Sequence, residues 1–250
     1  KTSPYPHWEY SNNKFDSLIR IVPERGGLIT EWRCNDKEIL YFDLERFESS
    51  EKSIRGGIPI LFPICGELPG NCLSLPKGNF PINQHGFARD FPWQIKPLPN
   101  QNGVSLNLQA NSKSLLAFPF LFSIKMEVIL ENNSLFIKIL VSNLGREKMP
   151  FSIGLHPYFR VTNLDNILIR GLAKECINHS DMSNVSTQSQ LAKLSKGVDF
   201  LTSSDGIISL VDLATNASIE MHNQHPMNLS VIWTDPPRSM VCMEPWTSPR

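Results

Sequence analysis

Residues 124–141 read IKMEVILENNSLFIKILV, and apolar and polar side chains alternate along both halves of this stretch. A period of two places the apolar side chains on one face of a β-strand. The Asn132–Asn133 pair interrupts the alternation and is typical of a turn. The stretch therefore predicts two antiparallel strands joined as a hairpin.

The same period recurs elsewhere in the chain. Residues 104–108 alternate in the same way, and residues 18–32 and 207–221 each predict a further hairpin. Helical patterns are scarce, because only residues 186–196 suggest a short helix, and a polar loop fits them equally well. Many short strands separated by turns are typical of stacked antiparallel sheets.

The segment 55–93 differs from the rest because glycine and proline interrupt it repeatedly. We expect it to hold no regular strand and to build a binding site, as long irregular segments of compact domains usually do. The chain shows neither an internal repeat nor a flexible linker. These features predict one all-β domain over residues 1–250.

Composition excludes several function classes. The 250 residues include 24 basic and 24 acidic side chains, so a net charge of zero argues against a broad grip on nucleic acid or an anionic membrane. Neither a membrane-spanning apolar run nor a secretory leader is evident. The cysteines lack Cys-x-x-Cys spacing, which favours a reduced, cytoplasmic protein without a disulfide framework or a zinc site. There are five of them: Cys34, Cys65, Cys72, Cys176 and Cys242.

Three ionisable side chains lie in unusual contexts. They are His85 in QHGFAR, His156 in GLHPYF and Glu244 in MEPW. Imidazole and carboxylate groups are well suited to proton transfer near neutral pH. Each also has a structural alternative, since histidines often pack beside aromatic residues and a half-buried glutamate often pairs with an arginine. The sequence predicts an acid–base site without a metal or a cofactor.

Four motifs, in this order, resemble the aldose 1-epimerase family, nearest to its hexose-6-phosphate mutarotase branch. They are RGGIP with a following FP, QHGFAR, HPYF and EPW, and Asp199 aligns with a further family element. The resemblance extends from the strand near Leu18 to Trp246. Members of the family normally continue with further strands after the last motif, whereas this chain ends at Arg250. The resemblance therefore leaves two alternatives open: either C-terminal strands are missing from this sequence, or the sheet ends early.

The resemblance implies a galactose mutarotase-like β-supersandwich and an isomerase that interconverts the α and β anomers of a hexose or a hexose-6-phosphate. Glu244 would be the general base that deprotonates the anomeric hydroxyl. His156 would be the general acid that protonates the ring oxygen. His85 would stabilise charge on that oxygen.

Substrate contacts are implied for Gln84, Arg55, Arg89 and Asp199. Guanidinium groups suit phosphate, although they also bind sugar hydroxyls or neighbouring acids such as Glu51 and Asp90. The phosphate-specific members carry Glu-Thr-Asp-Arg around the matching aspartate, whereas this chain has GVDF at residues 197–200. The substrate therefore stays open between a sugar and a sugar phosphate. Asp199 would either bind a sugar hydroxyl or orient a histidine.

Two other functions compete with isomerisation. A carbohydrate-binding protein on the same fold would bind sugar without the acid–base set. A glycoside hydrolase or lyase generally uses two carboxylates, and the sequence offers one strong candidate, Glu244, with Asp199 as a weaker second, so this function is less favoured. Aromatic residues beside the motifs either stack on a sugar or pack in the core: Phe87, Tyr158, Phe159, Trp233 and Trp246. The remaining histidines are expected at the surface: His7, His179, His222 and His225.

Overall fold

A computed structural model describes residues 5–12, 14–49, 52–99 and 101–250, apart from the side chain of Asp205. Antiparallel strands make up most of its regular structure, as the sequence predicts. Among the helices in these ranges, none combines the length and the apolar character that crossing a bilayer requires.

The strands follow one another closely along the chain. In order, they are β1 (Trp8–Asn12), β2 (Ser17–Val22), β3 (Leu28–Cys34), β4 (Lys37–Glu38), β5 (Ile60–Leu61), β6 (Cys72–Leu75), β7 (Gly78–Pro81), β8 (Gln94–Pro97), β9 (Gly103–Gln109), β10 (Phe122–Glu131), β11 (Ser134–Asn143), β12 (Gly154–Leu155), β13 (Tyr158–Arg160), β14 (Ile167–Leu172), β15 (Glu175–Asn178), β16 (Ser183–Ser186), β17 (Val198–Asp212), β18 (Ala217–His222), β19 (Leu229–Thr234) and β20 (Met240–Trp246).

The α-helices are short connections between strands. The Asn111 side chain caps one of them by accepting hydrogen bonds from the backbone of Lys113 and Ser114. The polar segment 186–196 forms one short α-helix and a 3-10 turn rather than a loop. The helices are α1 (Leu44–Glu48), α2 (Ser112–Ala117) and α3 (Thr187–Leu191).

The chain forms two compact units. Unit 1 comprises residues 1–39, 58–153 and 250, and unit 2 comprises residues 40–57 and 154–249, in each case as far as they are described. The single domain over residues 1–250 stays a prediction.

Unit 1 contains two four-stranded sheets, ordered β1-β2-β3-β4 and β8-β9-β10-β11, as well as the two-stranded sheet β6-β7. The predicted hairpin is confirmed, because Ile124 pairs with Val141 and Leu130 with Leu135. The inward side chains of β10 are fully buried, whereas those of β11 are only half-buried. The difference follows from position, since β11 lies at the edge of its sheet and β10 lies between two neighbours.

The expectation that the segment 55–93 holds no regular strand is wrong. It contains β5 and the hairpin β6–β7, in which Leu73 pairs with Phe80. Each strand of this hairpin has only four residues, too few for alternation to be evident. The remaining signal was the turn sequence between them, Pro76–Gly78.

Unit 2 is built around β17, a strand of 15 residues that pairs with different partners along its length. Its first part pairs with β15 and β19, and its last part pairs with β14 and β18. On the other side of β19, the strand β20 pairs with β19, β12 and β13. We call the strands β16-β15-β17-β19-β20, together with β12 and β13, the unit 2 sheet.

Candidate active site

The register of the unit 2 sheet brings His156 and Glu244 together. Gly154 pairs with Trp246, and Tyr158 pairs with Cys242. His156 lies midway between Gly154 and Tyr158, and Glu244 lies midway between Trp246 and Cys242. In an antiparallel ladder His156 is therefore opposite Glu244. The imidazole Nε2 lies 3.2 Å from the carboxylate Oε1, close enough for a charge-assisted hydrogen bond.

Glu244 is almost completely buried, with 2% of its surface exposed. A carboxylate in such surroundings requires partners, because an unpaired buried charge is costly. One oxygen faces His156, and the other accepts a hydrogen bond of 3.2 Å from the indole N–H of Trp246. Trp246 is two residues further along β20 and therefore lies on the same face. The carboxylate is thus held in one orientation from two sides.

Aromatic rings fix the plane of the His156 imidazole. The Tyr158 ring stacks on it with centroids 4.6 Å apart, and the Trp233 ring meets its edge at 5.8 Å. Tyr158 and Trp246 are buried, so packing around the His156–Glu244 pair accounts for them better than stacking on a sugar. Trp233 is only half-buried.

Cys242 is a third polar group on this face, two residues before Glu244 on β20. His156, Cys242 and Glu244 each offer one atom that could bind a metal. These three atoms all lie within 4.8 Å of one another. Burial raises the pKa of the Cys242 thiol well above its usual range, and the nearby Glu244 charge raises it further. The thiol is therefore protonated at neutral pH and is a poor nucleophile.

The prediction that His179 lies at the surface is wrong, because its side chain is only 4% exposed. It follows β15, and its Nδ1 lies 2.7 Å from Oδ1 of Asp199 on the neighbouring β17. The ring also stacks on Trp246, with centroids 6.1 Å apart. Asp199 therefore orients His179, a partner that only the pairing of β15 with β17 reveals. By contrast, His222 and His225 are exposed as expected.

Arg55 lies beside the aromatic ring of Trp233 in unit 2. Its guanidinium is 5.4 Å from the centroid of the Trp233 ring, and its Nε is 4.0 Å from a carboxylate oxygen of Asp235. That same oxygen accepts a shorter hydrogen bond of 2.7 Å from Arg238, so Asp235 only partly neutralises Arg55. The alternative partner, Glu51, lies outside the described residues.

His85 occupies a turn of unit 1, closed by a hydrogen bond of 2.9 Å from Gly86 N to Asn83 O. Its backbone has a φ of +66°, a left-handed conformation that histidine seldom adopts. Its Nδ1 accepts a hydrogen bond of 3.0 Å from Gly66 N, so the proton of the neutral ring is on Nε2. The side chain is thus fixed as an Nε2–H donor.

Two other predicted substrate ligands follow in the same segment of unit 1. Arg89 donates a hydrogen bond of 2.9 Å to the backbone carbonyl of Gln84, whose side chain is exposed. The expected ion pair with Asp90 is present only at 4.0 Å. Burial raises the pKa of Asp90, against the opposing effect of Arg89 and Arg25.

Replacing Gly86 by alanine should destabilise the turn that carries His85. Gly86 has a φ of +70°, and a Cβ atom there would overlap the carbonyl of Phe62. The left-handed conformation and the clash together should lower the free energy of unfolding by about 3 kcal/mol or more. Chemical denaturation measures this change.

Gly70→Ala is the matched control. Gly70 has a similar φ of +63°, but among the described residues no heavy atom lies within 4 Å of the position that an alanine Cβ would take. We expect this variant to lose only about 1–2 kcal/mol, the conformational part alone. Equal losses in the two variants would refute the steric argument at Gly86.

The comparison with known proteins decides the family. A family model described as aldose 1-epimerase matches residues 20–248. The chain belongs to the aldose 1-epimerase family. This assignment confirms the resemblance inferred from the four motifs.

Relatives of this aldose 1-epimerase family member agree with that placement. A protein of Cenchrus ciliaris, provisionally named glucose-6-phosphate 1-epimerase, is 26% identical over 88% of this chain and 65% of its own length. The chain thus spans slightly less than two thirds of that relative.

Solved structures show the same architecture. The Slr1438 protein from Synechocystis sp. PCC 6803 has a TM-score of 0.95 and 34% identity, over 100% of this chain and 88% of its own. A galactose mutarotase related enzyme from Lactobacillus acidophilus has a TM-score of 0.78 and 20% identity, over 96% and 85% of the two chains. The galactose mutarotase-like fold expected from the sequence is confirmed.

Proposed function

We propose that this epimerase-family protein interconverts the α and β anomers of a hexose or a hexose-6-phosphate. The observation that carries the proposal is the buried His156–Glu244 pair, with 3.2 Å between Nε2 and Oε1. Ring opening of a sugar requires one proton to be removed and another to be supplied at adjacent atoms. A carboxylate and an imidazole in contact provide both functions.

The two groups of this pair have opposite roles. Glu244 takes the proton of the anomeric hydroxyl, while His156 donates its Nε2 proton to the ring oxygen. The C1–O5 bond breaks as the C1–O1 double bond forms, which gives the open-chain aldehyde. After rotation about the C1–C2 bond, the ring oxygen attacks the other face of C1 and both proton transfers run in reverse.

The surroundings of the pair support these roles. Trp246 holds one carboxylate oxygen and Tyr158 holds the imidazole plane, so neither group needs to be oriented during the reaction. A positioned acid or base typically accelerates a reaction by about 10²–10⁴-fold. Two such groups suffice for an anomerase without a covalent intermediate.

The remaining site residues have supporting roles in this proposal. Asp199 and His179 form a hydrogen-bonded pair behind Trp246 and hold it against Glu244. Arg55 binds a polar group of the sugar. For His85, Gln84 and Arg89, a role in substrate binding rests on the motif resemblance, and the fixed Nε2–H of His85 is suited to donate to a sugar oxygen.

Polarimetry on freshly dissolved α-glucose, α-galactose and glucose-6-phosphate tests the function. We expect the protein to accelerate the approach to anomeric equilibrium for at least one of the three. A protein that binds one of these sugars and accelerates none would instead be a carbohydrate-binding protein, and the proposal would be wrong.

Arg55→Ala tests whether the substrate is phosphorylated. A guanidinium hydrogen bond to a charged group is worth about 1.5–3 kcal/mol, so KM for glucose-6-phosphate should rise by about tenfold or more. KM for glucose should change much less, because a neutral hydroxyl gains less from the charge. Initial rates with both sugars measure the difference.

The exposed Arg170 on β14 provides the control. Arg170→Ala removes the same charge from unit 2 and should leave both KM values unchanged. If Arg55→Ala weakens glucose and glucose-6-phosphate to the same extent, phosphate recognition by Arg55 is excluded.

A further inference from the structure

Cys242 has no part in the proton transfers proposed above, yet it lies beside both groups that carry them out. Cys242 and Glu244 are separated by one residue on β20, so their side chains leave the same face of the strand. His156 lies opposite Glu244 through the pairing of β12 and β13 with β20. The fold therefore brings together a thiol, an imidazole and a carboxylate.

We propose that His156, Cys242 and Glu244 form an inhibitory site for a borderline-soft divalent cation, of which Zn²⁺ fits best. Thiolate, imidazole and carboxylate are the three ligand types that zinc accepts. Three protein ligands with a fourth position left for water is an arrangement common for zinc outside purely structural sites. The spacing of the cysteines did not predict such a site, because only one cysteine takes part.

The distances allow this coordination. Zinc holds sulfur at about 2.3 Å and nitrogen or oxygen at about 2.0–2.2 Å, so ligand atoms in a tetrahedron are about 3.3–3.8 Å apart. The His156–Glu244 separation is already 3.2 Å, and all three atoms lie within 4.8 Å of one another. Side-chain rotations that move the outermost atom by about 1 Å complete the geometry.

Charge also favours the ion. On binding, the Cys242 thiol gives its proton to solvent and forms a sulfur–metal bond. The thiolate and the Glu244 carboxylate then neutralise the two charges of the cation, and His156 binds as neutral imidazole through Nε2. The buried site is therefore electrically neutral when occupied, which avoids the cost of a net buried charge.

Inhibition rests on the proposed function, whereas metal binding does not. A cation bound between His156 and Glu244 occupies the carboxylate oxygen with which Glu244 accepts a proton. It also binds Nε2 of His156, the atom from which the proton is donated to the ring oxygen. Zinc should therefore slow anomerisation with the same midpoint at which it binds. The protein would be switched off by zinc and restored by a chelator.

Cobalt and zinc titrations of the whole chain test the site. We expect Co²⁺ to produce a thiolate-to-cobalt charge-transfer band, which Zn²⁺ removes by competition. Cys242→Ser should abolish the band and weaken zinc binding by about a hundredfold. Cys176→Ser is the control, because Cys176 is also buried in unit 2 but lies outside this group, and it should keep both the band and the affinity.

The outcomes separate the two proposals. An unmodified chain without the band, or a Cys242→Ser variant that keeps it, overturns the metal site. A chain that shows the band but accelerates no anomerisation supports the site and refutes the proposed function. If Cys242→Ser fails to fold, X-ray absorption of the zinc-bound unmodified chain decides, since one sulfur and two lighter protein ligands are required.

Discussion

Glu244→Gln should slow anomerisation by about 10²–10⁴-fold, while the protein stays folded. Glutamine has nearly the same shape, and its carbonyl oxygen can still accept the indole hydrogen bond of Trp246. It cannot take a proton from the anomeric hydroxyl. The loss should therefore appear in kcat, with only a small change in KM.

Polarimetry at saturating sugar measures the rate, and calorimetry measures the affinity for the same sugar. Glu220→Gln is the control because Glu220 is an exposed glutamate of β18 in unit 2, with a side chain 60% exposed. It should behave like the unmodified chain. A Glu244→Gln variant with a nearly normal rate would show that another group is the base.

His156→Asn should have a comparable effect, a loss of about 10²–10⁴-fold in kcat. Asparagine cannot donate a proton to the leaving ring oxygen at neutral pH, although its amide can still form a hydrogen bond to Glu244. The stacking on Tyr158 is also reduced, so a modest decrease in stability should accompany the loss of rate.

The exposed His222 offers the matched substitution, since its ring lies at the end of β18 with 60% of the side chain accessible. His222→Asn should retain full activity. If His156→Asn retained activity while Glu244→Gln lost it, the ring oxygen would have to receive its proton from a different donor, and the pairing of roles proposed here would be wrong.

Much of the fold was predictable from local patterns. Alternation over residues 124–141 predicted β10 and β11, and similar patterns predicted the hairpins β2–β3 and β17–β18, all of which the structure contains. The short hairpin β6–β7 was missed, because four residues per strand are too few to establish a period. The local sequence also did not predict how deeply an apolar face is buried. The alternation in β11 resembles that in β10, yet the apolar face of β11 is only half-buried.

The site was only partly predictable. His156 and Glu244 were identified by their motifs, and their hydrogen-bond distance followed from strand register alone. His179 was misjudged because a histidine in a polar stretch is usually exposed, and nothing near it in sequence announces Asp199 as its partner. Cys242 was interpreted as a buried thiol, which it is, but its neighbours could not be known.

The amino-acid sequence by itself determined the all-β character and the family, and its motifs singled out His156 and Glu244 as the residues proposed for acid–base chemistry. These depend on periods of two residues and on motifs that short segments carry unaided. Tertiary structure alone decided which oxygen of Glu244 meets His156, which tautomer His85 adopts and which aspartate holds His179. The contacts of Glu244 and Asp199 depend on pairing between strands far apart in sequence, and a shift in register by one residue would turn these side chains to the opposite face of the sheet. The tautomer of His85 depends instead on the hydrogen bond from Gly66 N, a residue 19 positions away in the chain.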